Sequence, residues 1–340
     1  MEEKGGRLDT GALRSAISEA GRVDAVGHRV VHGGPRFSGP VRLDAKRLKE
    51  LRELTALAPL HQPPALAAIA AVAAALPRAP AVACFDTAFH HRLPSAAATY
   101  ALPREWRDRF AIRRYGFHGL SHAYASRRAA EMLGRPVAGF RVVTCHLGSG
   151  ASLSAVRSGR SVDTTMGFTP LEGLVMSTRS GSVDPGLLIW LQRHARLGLT
   201  GLEDRLERGS GLLGLAGSGD MREVLARAAR GDADARLALD VYLHRLRAGI
   251  AAMVAALGGL DALVFTGGVG ENAATIRLQA AQGLSYLGVK VDARANRAAA
   301  PDREIGARGA AVRTLVVHAR EDLEIARQVR RLLRSGGARD

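Results

Sequence analysis

The sequence predicts an α/β fold, and two observations support this prediction. Segments with strand-like and helix-like hydrophobic patterns alternate along the 340 residues, and two of the strands run directly into glycine-rich segments. A hydrophobic content of 47% at this length allows a large buried core and about two domains of ordinary size. A globular enzyme is therefore the expected class.

The first third of the chain contains two predicted strands and three predicted helices. Its Ala-rich segment looks like low complexity, but Leu66, Ile69 and Val72 recur at helical spacing between bracketing prolines, which indicates a packed helix. In order, the predicted elements are a helix at Thr10–Ala20, a strand at Ala25–Val31, helices at Ala45–Ala56 and Pro63–Ala75, and a strand at Ala81–Phe85.

The rest of the chain continues the alternation. The predicted elements are a loop over Arg92–Pro103, a helix at Ser121–Leu133, strands at Arg141–Cys145 and Ala151–Val156, helices at Pro185–Leu197 and Asp232–Leu257, and a strand at Ala262–Phe265. The two strands on either side of Gly148 form a glycine-turned hairpin. The last strand runs into a glycine loop and a further helix.

Charge and cysteine content exclude several function classes. The formal net charge is +16, but the basic residues are scattered and aromatic residues make up only 4%, so we predict no nucleic-acid partner. No run of eighteen apolar residues occurs and the N-terminus is charged, which predicts a cytoplasmic protein without a membrane partner. Cys84 and Cys145 adjoin apolar runs and are expected to be reduced, buried thiols.

Glycine-rich segments follow two predicted strands. Gly148 and Gly150 have two interpretations: they form only a tight turn, or they also bring backbone amides close to a phosphate. The second segment, Gly267–Asn272, lies at a strand-to-helix junction. Two such junctions indicate one nucleotide held from two sides.

Charged and imidazole side chains gather where strands and loops end. Arg29 is either an ordinary surface arginine or part of an anion site, while Asp86 closes a strand and Arg179 lies in a Gly- and Ser-rich loop. His118 precedes His122, which has either a packing role or a site role. Two arginines, a carboxylate and a histidine, without an activated nucleophile, favour phosphoryl transfer.

Eight ordered motifs extend over nearly the whole chain: GHRVVHGG from Gly27, APLHQPP from Ala58, FDTAFH from Phe85, RRYGFHGLSH from Arg113, HLGSGAS from His146, TTMGFTPLEGLVMSTRSG from Thr164, FTGGVGEN from Phe265 and EDLEIAR from Glu321. In these motifs the chain resembles the acetate and propionate kinase family, within the larger group of sugar kinase, heat-shock ATPase and actin folds.

This resemblance implies a reaction and an architecture. The reaction is reversible in-line transfer of a phosphoryl group from ATP to acetate or another short carboxylate, giving acetyl phosphate and ADP with Mg²⁺ or Mn²⁺. The architecture is two ribonuclease-H-like lobes of the actin, hexokinase and heat-shock ATPase type with a central cleft. Residues 1–87 and 321–340 would form the N-terminal lobe and residues 88–320 the second lobe, through which a homodimer would form.

The resemblance also implies site residues, position by position. Arg29, Asp86, His118 and Arg179 look like the catalytic set, and Glu321 resembles the carboxylate on the metal side. The substrate-binding positions are Arg29, Val31, Leu60, His61 and Pro170. The nucleotide-binding positions are His146, Gly148, Ser149, Gly150, Asp220, Met221, Arg222, Gly267, Gly268, Gly270, Glu271 and Asn272.

The sequence departs from the family pattern at its start. It has no counterpart of the family's first strand and Asn-Ser-Ser-Lys phosphate loop, so we expect a truncated N-terminal lobe with an unpaired sheet edge. A start codon placed too far downstream would explain this, and so would a shortened relative that binds nucleotide without turnover. A propionate kinase is the other alternative. Ser149 and Ser182 also replace the Asn and the acidic residue usual in the family.

Overall fold

The structure, a computed structural model, describes residues 11, 15, 17–19, 21–195, 197–300 and 302–336. The chain divides into two compact units. Unit 1 contains the described residues up to His91, the segment Phe117–Ser121 and the described residues from Arg320. Unit 2 contains Arg92–Gly116 and His122–Ala319.

Unit 1 is built on a three-stranded sheet. Its strands are β1 (Val26–Val30), β2 (Val41–Arg42) and β3 (Ala81–Phe85), in the order β1-β3-β2, with β1 parallel and β2 antiparallel to β3. Among the described residues β1 has β3 as its one strand neighbour. The helices of this unit are Ala45–Glu53, Gln62–Ala75 and Glu321–Gly336, with 3₁₀ turns at Leu54–Leu57 and Ala88–His90.

Helices cover both faces of this sheet because β3 is apolar on both sides. Ala83 and Phe85 pack in one cluster, whose other members are Val30, Phe37, Leu51, Leu54 and Ile69. Val82 and Cys84 point the opposite way, into a cluster with Leu120 and with Val329, which belongs to the C-terminal helix. That helix lies so close to β1 that a Cβ at Gly27 would be 2.3 Å from Cγ2 of Ile325.

Unit 2 is built on a six-stranded mixed sheet. Its strands are β4 (Arg141–Leu147), β5 (Ala151–Arg157), β6 (Arg160–Thr164), β7 (Ala262–Thr266), β8 (Arg303–Glu304) and β9 (Arg313–Val316). They lie in the order β6-β5-β4-β7-β9-β8. The central strands β4, β7 and β9 are parallel, while β5, β6 and β8 pair antiparallel with their neighbours.

Helices surround this sheet. Those wholly within unit 2 are Ser95–Ala98, Arg104–Phe110, Pro185–His194, Leu199–Arg208, Gly211–Ala216, Met221–Ala229, Ala233–Leu257, Gly267–Asn272, Ala274–Gln282 and Ala293–Arg297, with a 3₁₀ turn at Ser285–Leu287. Helix Gly119–Met132 begins in unit 1, and its residues from His122 belong to unit 2. The long helix Ala233–Leu257 begins at the capping carboxylate of Asp232 and packs against β4, β5 and β6.

The α/β prediction is confirmed, and the differences are local. The predicted loop Arg92–Pro103 contains the short helix Ser95–Ala98, which starts directly after Pro94. The predicted glycine loop after β7 is itself helical from Gly267 onward. The predicted helix Pro185–Leu197 ends at His194. Of the predicted helix Thr10–Ala20, residues 11, 15 and 17–19 are helical, and the others lie outside the described residues.

Both cysteines are free and buried, and burial raises the pKa of the Cys84 thiol to about 12. Within the described ranges, no helix is both long enough and apolar enough to cross a membrane.

The burial of His90 in unit 1 makes the stability of the protein depend on pH. It is fully buried, its Nε2 donates to the carbonyl of Phe117 at 3.1 Å, and burial lowers its pKa to about 4. As pH falls from 6.5 toward 4, His90 takes up a proton in the unfolded chain but not in the folded one. The free energy of unfolding should therefore fall by about 2 kcal/mol between pH 7.5 and 5 through this residue.

Urea unfolding at both pH values measures this effect. The variant His90→Gln keeps an N–H donor but cannot titrate, so its loss of stability between the two pH values should be smaller by that amount. An identical pH dependence in the two proteins would contradict the prediction.

Candidate active site

Arg29 and Asp86 meet because two parallel strands end side by side. Arg29 lies opposite Cys84 in the β1–β3 ladder, and the amide of Asp86 donates to the carbonyl of Val30 at 3.0 Å. The Arg29 guanidinium donates to the Asp86 carboxylate from Nη2 at 2.7 Å and from Nε at 3.1 and 3.2 Å. The Asp86 side chain is only 1% exposed, so this fork-like pairing fixes a carboxylate at the sheet edge.

Glu321 places a second carboxylate on the same guanidinium. It is the first residue of the C-terminal helix, and its Oε2 lies 3.2 Å from Nη1 of Arg29. Burial and the negative charge of Asp86 raise the pKa of Glu321, although Arg29 opposes this rise. Arg29, Asp86 and Glu321, named the Arg29 cluster here, thus hold two carboxylates around one cation.

Gly119 fixes the segment that carries His118 to the backbone of Asp86. The amide of Gly119 donates to the carbonyl of Asp86 at 2.9 Å. His118 has a φ of 54°, in the left-handed region that a residue with a Cβ rarely adopts. Backbone strain of this kind persists only where the surrounding structure enforces it, and it is concentrated at functional sites. The sequence-predicted residues Arg29, Asp86, Glu321 and His118 therefore belong to one region of unit 1.

Replacing Gly119 with alanine should damage this region. A Cβ at this position would lie 2.0 Å from the Asp86 carbonyl oxygen and 2.8 Å from Cβ of Phe89, so the backbone must shift. We expect a loss of about 1–3 kcal/mol in unfolding free energy. Chemical denaturation measures it, with Gly39→Ala as the matched control, because no atom lies within 4 Å of a Cβ at Gly39. Equal stability of the two variants would contradict the prediction.

In unit 2, the two glycine segments lie together at the ends of adjacent parallel strands. His146 of β4 pairs with Thr266 of β7, so the turn after β4 adjoins the helix after β7. A Cβ at Gly148 would lie 4.0 Å from the amide nitrogen of Gly268. Gly267 has a φ of 78°, and its Cβ would lie 2.8 Å from the carbonyl oxygen of Leu147, so the close approach requires glycine.

The hairpin turn itself leaves two amides available. The amide of Gly148 donates to the carbonyl of Gly150 at 2.9 Å, which closes the turn. The amides of Ser149 and Gly150 make no hydrogen bond with the described residues. A contact from this turn to an anion would therefore come from Ser149 and Gly150 rather than from the Gly148 amide.

Arg179 lies in a tight loop beside that turn. The amide of Ser177 donates to the carbonyl of Ser149 at 3.1 Å, and the amide of Met176 donates to the carbonyl of Arg179 at 3.2 Å. The Arg179 side chain is 17% exposed, donates one hydrogen bond to the carbonyl of Pro170 at 2.8 Å and lies 4.0 Å from Glu207. Burial lowers its pKa, so its remaining donors would gain from an anionic partner.

Asp220, Met221 and Arg222 start a helix next to this loop. Asp220 caps helix Met221–Ala229, and hydrogen bonds from the side chain and backbone of Arg222 lower the pKa of Asp220 to about 2. Met221 is buried, so its backbone is the part left to contact a ligand. A Cβ at Gly219 would lie 3.2 Å from the carbonyl oxygen of Ser177. We name the segments Gly148–Gly150, Ser177–Arg179, Gly219–Arg222 and Gly267–Asn272 the glycine constellation.

The predicted substrate positions fall in both units. Val31 follows the end of β1, His61 caps helix Gln62–Ala75, and Leu60 is 44% exposed, all in unit 1. Pro170 lies in unit 2 and accepts the hydrogen bond from Arg179. The substrate-binding role of each of these residues stays a prediction.

His122 takes the packing role that the sequence left open. It is fully buried, and its ring nitrogens lie 2.7 Å from Oγ1 of Thr144 and 2.8 Å from Oγ of Ser152. These hydroxyls belong to β4 and β5, so His122 joins helix Gly119–Met132 to the sheet of unit 2.

Sequence reasoning gave no role to the residues that hold the Pro170 loop. Arg114 donates to Glu172 at 2.6 Å and to the carbonyls of Thr165 and Met166 at 3.1 Å. The Tyr100 hydroxyl donates to Glu172 as well and accepts from the amide of Phe168. Arg114 and Glu172 lie inside two of the quoted motifs, which is the signal that could have found them.

The carboxylates of the Arg29 cluster suit a hard divalent cation. No group of three or more His, Cys, Asp or Glu side chains in the described chain could hold a metal ion alone. Mg²⁺ commonly binds through one or two carboxylates together with water and substrate phosphates. Two nearby carboxylates, one of them with a raised pKa, therefore fit a cation that is shared with a phosphate substrate.

Known proteins match this chain over most of its length. The sequence profile described as "Acetokinase family" matches residues 8–327. The chain is 52% identical over 314 residues to the acetate kinase of Gloeobacter violaceus, covering 92% of this chain and 77% of that protein. It is 51% identical over 331 residues to the acetate kinase of Deinococcus deserti, covering 96% and 82%.

Solved structures agree with these relatives. The crystal structure of Porphyromonas gingivalis acetate kinase superposes with a TM-score of 0.89 at 38% identity, covering 96% of this chain and 85% of that one. The structure of a propionate kinase from Francisella tularensis gives a TM-score of 0.88 at 41% identity, covering 94% and 82%.

Proposed function

The chain belongs to the acetokinase family, and from that premise we propose how its residues divide the work of the reaction. The chain is a phosphotransferase with a carboxylate acceptor: it transfers a phosphoryl group reversibly between ATP and acetate, with acetyl phosphate and ADP as products and a divalent metal ion. The observation that carries this conclusion is the family match over residues 8–327. The fold is the actin and hexokinase type of these kinases.

The glycine constellation is the proposed nucleotide site. The amides of Ser149 and Gly150 would contact phosphate, supported by the absence of other partners for them among the described residues. His146 and the segment Gly267–Asn272 would line the same nucleotide, because β4 and β7 are neighbours. Asp220 and Arg222 have exposed side chains that would meet the ribose and base, together with the backbone of Met221.

Arg179 is the proposed contact to the phosphoryl group in transfer. Phosphoryl transfer needs positioning and neutralisation of charge rather than a protein nucleophile, so direct in-line transfer suits this residue set. Arg179 keeps unused donors in a buried setting, whereas Asp86 and Glu321 already engage Arg29. Arg29 would thus orient the carboxylates and the acetate side, and His118 would donate a hydrogen bond to the transition state.

Mg²⁺ or Mn²⁺ is the proposed metal, with Asp86 and Glu321 to hold it. When bound, such an ion neutralises charge on the phosphate oxygens. The role of the chain is to hold both carboxylates in place. Arg29 does so through its fork on Asp86 and its contact with Glu321.

Val31, Leu60, His61 and Pro170 are the proposed substrate-binding residues, and acetate is the favoured substrate. A single methylene changes specificity by only about 10–200-fold, so a propionate activity below that of acetate is expected. Trapping the acyl phosphate with hydroxylamine in the presence of ATP, Mg²⁺ and either acid measures both rates. Higher kcat/KM with propionate than with acetate would make propionate the preferred substrate. Nucleotide binding without turnover would show that the chain is a nucleotide-binding protein without kinase activity.

A homodimer is the proposed assembly, and its surface is the exposed apolar patch of unit 2 around helix Pro185–His194. The large apolar residues of this patch are Val183, Leu187, Ile189, Trp190 and Leu199, all at least 38% exposed. An apolar patch of this kind marks protein contacts. We also propose a cytoplasmic location without a membrane partner, and no nucleic-acid partner, the last supported by the scattered arginines and few aromatic residues of the sequence.

Trp190→Glu should therefore convert a dimer into a monomer. The substitution would bury a charge in the interface, which is strongly unfavourable without a partner. Light scattering coupled to size-exclusion chromatography measures the mass. Trp106→Glu is the matched control, because Trp106 of the same unit is 50% exposed against 53% for Trp190. Dissociation by Trp106→Glu alone would place the interface elsewhere.

A further inference from the structure

Arg277 is a buried cation next to the glycine constellation, and the proposed reaction gives it no role. It lies in helix Ala274–Gln282 and is 1% exposed. Its guanidinium donates four hydrogen bonds of 2.7–2.9 Å, to Oδ1 and the carbonyl of Asn296 and to the carbonyls of Gly270 and Glu271. All of its acceptors are neutral oxygens.

Burying such a charge is costly. No carboxylate in the part of the chain that the structure describes forms an ion pair with Arg277, and burial lowers its pKa. A lysine or a neutral donor could cap one carbonyl at lower cost. The guanidinium instead binds two elements at once: its Nε and Nη2 donate to Asn296, and its Nη1 donates to the successive carbonyls of Gly270 and Glu271, so its position fixes the orientation of the segment that carries them.

Asn296 sets the orientation of this guanidinium. It is 1% exposed, its Oδ1 and its carbonyl accept from Arg277, and its Nδ2 donates to the carbonyl of Ala274 at 2.8 Å. Helix Ala293–Arg297, which carries Asn296, is capped by Asp292. Two of the four acceptors of Arg277 are therefore held by a separate element of unit 2.

The segment that Arg277 binds is Gly267–Asn272. Gly270 and Glu271 provide the last carbonyls of this short helix before Asn272. Its other end is held by the Glu271 side chain, whose Oε1 accepts from the amides of Gly267 at 3.1 Å and Ala319 at 2.9 Å. The segment is thus fixed at both ends, and the Cβ-free approach of Gly267 to Leu147 leaves little tolerance for a shift.

We propose that Arg277, oriented by Asn296, is a positioning residue for nucleotide binding: it holds Gly267–Asn272 at the distance from the β4–β5 turn that ATP and ADP require. This inference rests on the proposed function of that segment. It assigns Arg277 no contact with substrate. Its loss should weaken nucleotide binding selectively.

Arg277→Lys and Asn296→Ala test the proposal. Lysine keeps the charge but has a single nitrogen, so it cannot contact Asn296 and the Gly270 and Glu271 carbonyls at once as the guanidinium does. Asn296→Ala removes the orienting amide while Arg277 stays. For both variants we expect the KM for ATP and the Kd for ADP to rise at least about 10-fold, with the KM for acetate within about 2-fold of wild type. Coupled kinetics and calorimetric titration with ADP measure these constants.

Ile276→Val is the matched control for lost packing. Ile276 is fully buried in the same helix, so the variant lowers Tm without touching the guanidinium. Wild-type ADP affinity in Arg277→Lys and Asn296→Ala, with a Tm lowered as in Ile276→Val, would overturn the proposal. So would equal rises in the KM for acetate and ATP. Asn296→Ala leaves every backbone acceptor of Arg277 in place, so it decides the question if Arg277→Lys does not fold.

The same measurements separate this inference from the proposed function. Wild-type protein that binds ADP but forms no acetyl phosphate would contradict the activity, and the Kd of the variants would still decide the role of Arg277. Wild-type protein that binds no ADP would overturn the inference, because Gly267–Asn272 would then not be a nucleotide segment.

Discussion

Arg179→Ala should reduce kcat for acetyl phosphate formation by about 10³-fold, because it removes a fixed positive charge from the transferred phosphoryl group. The buried position of Arg179 strengthens this effect, since few water dipoles compete with the guanidinium. Within the described structure the side chain donates one hydrogen bond, to Pro170, and lies 4.0 Å from Glu207, so we expect its removal to cost about 1–3 kcal/mol in the free energy of unfolding, which leaves the protein folded. A large loss of rate in a protein that stays folded is the expected signature.

Hydroxylamine trapping and thermal unfolding measure the two effects on the same sample. Arg179→Lys should recover only part of the rate, because an ammonium group is a single point charge and cannot bind two oxygens as a fork. Arg230→Ala, at an exposed arginine of the same unit, is the control and should be unchanged. Activity of Arg179→Ala within about 10-fold of wild type would remove Arg179 from the catalytic set.

Asp86→Asn should lower kcat by about 10²–10³-fold and raise the Mg²⁺ concentration needed for half-maximal activity. The amide keeps the shape of the side chain but loses the negative charge and an acceptor of the Arg29 fork. Arg29 is 42% exposed and can be hydrated, whereas Asp86 is buried, so we expect a loss of about 1.5–3 kcal/mol in the free energy of unfolding.

Titration of the initial rate with Mg²⁺ separates the metal effect from general damage. Glu321→Gln should shift the same titration, because Glu321 shares the guanidinium of Arg29 with Asp86. Glu53→Gln is the control: it removes an exposed ion pair with Arg36 in the same unit and should leave the titration unchanged. Wild-type Mg²⁺ dependence in Asp86→Asn would show that Asp86 does not hold the metal.

In unit 1 the hydrophobic pattern of the sequence predicts where the elements lie better than it predicts where the helices end. The strand Ala81–Phe85 matches its predicted bounds, because a continuous apolar run begins after Pro80 and ends before Asp86. The helix predicted to run to Ala56 ends at Glu53 and continues as a 3₁₀ turn, in which Leu54 is buried in the cluster with Ala83 and Phe85. Such an ending depends on packing across the unit, which local patterns do not encode.

Some residues of the candidate site could be predicted from the sequence, and others were found only in the structure. Arg29 and Asp86 were predictable because each stands at a strand end, and the family resemblance then gave them roles that remain to be tested. Arg277 lies outside the quoted motifs and gave no signal in the sequence, while Gly119 lies inside RRYGFHGLSH without any sign of what it contacts. Their roles depend on the carbonyls of Gly270, Glu271 and Asp86, which only the fold brings to them.

The sequence by itself determined the α/β class, the glycine segments, the family and the reaction, because these depend on local patterns and on ordered motifs. The tertiary structure decided which strands are neighbours, so that the turn at Gly148 meets the segment at Gly267. It also decided that His122 bonds hydroxyls within the core and that Arg179 keeps spare donors while Arg29 is engaged. The physical reason is that burial and hydrogen-bond partners are set by chain segments far apart in sequence, whose meeting depends on the packing of the whole unit.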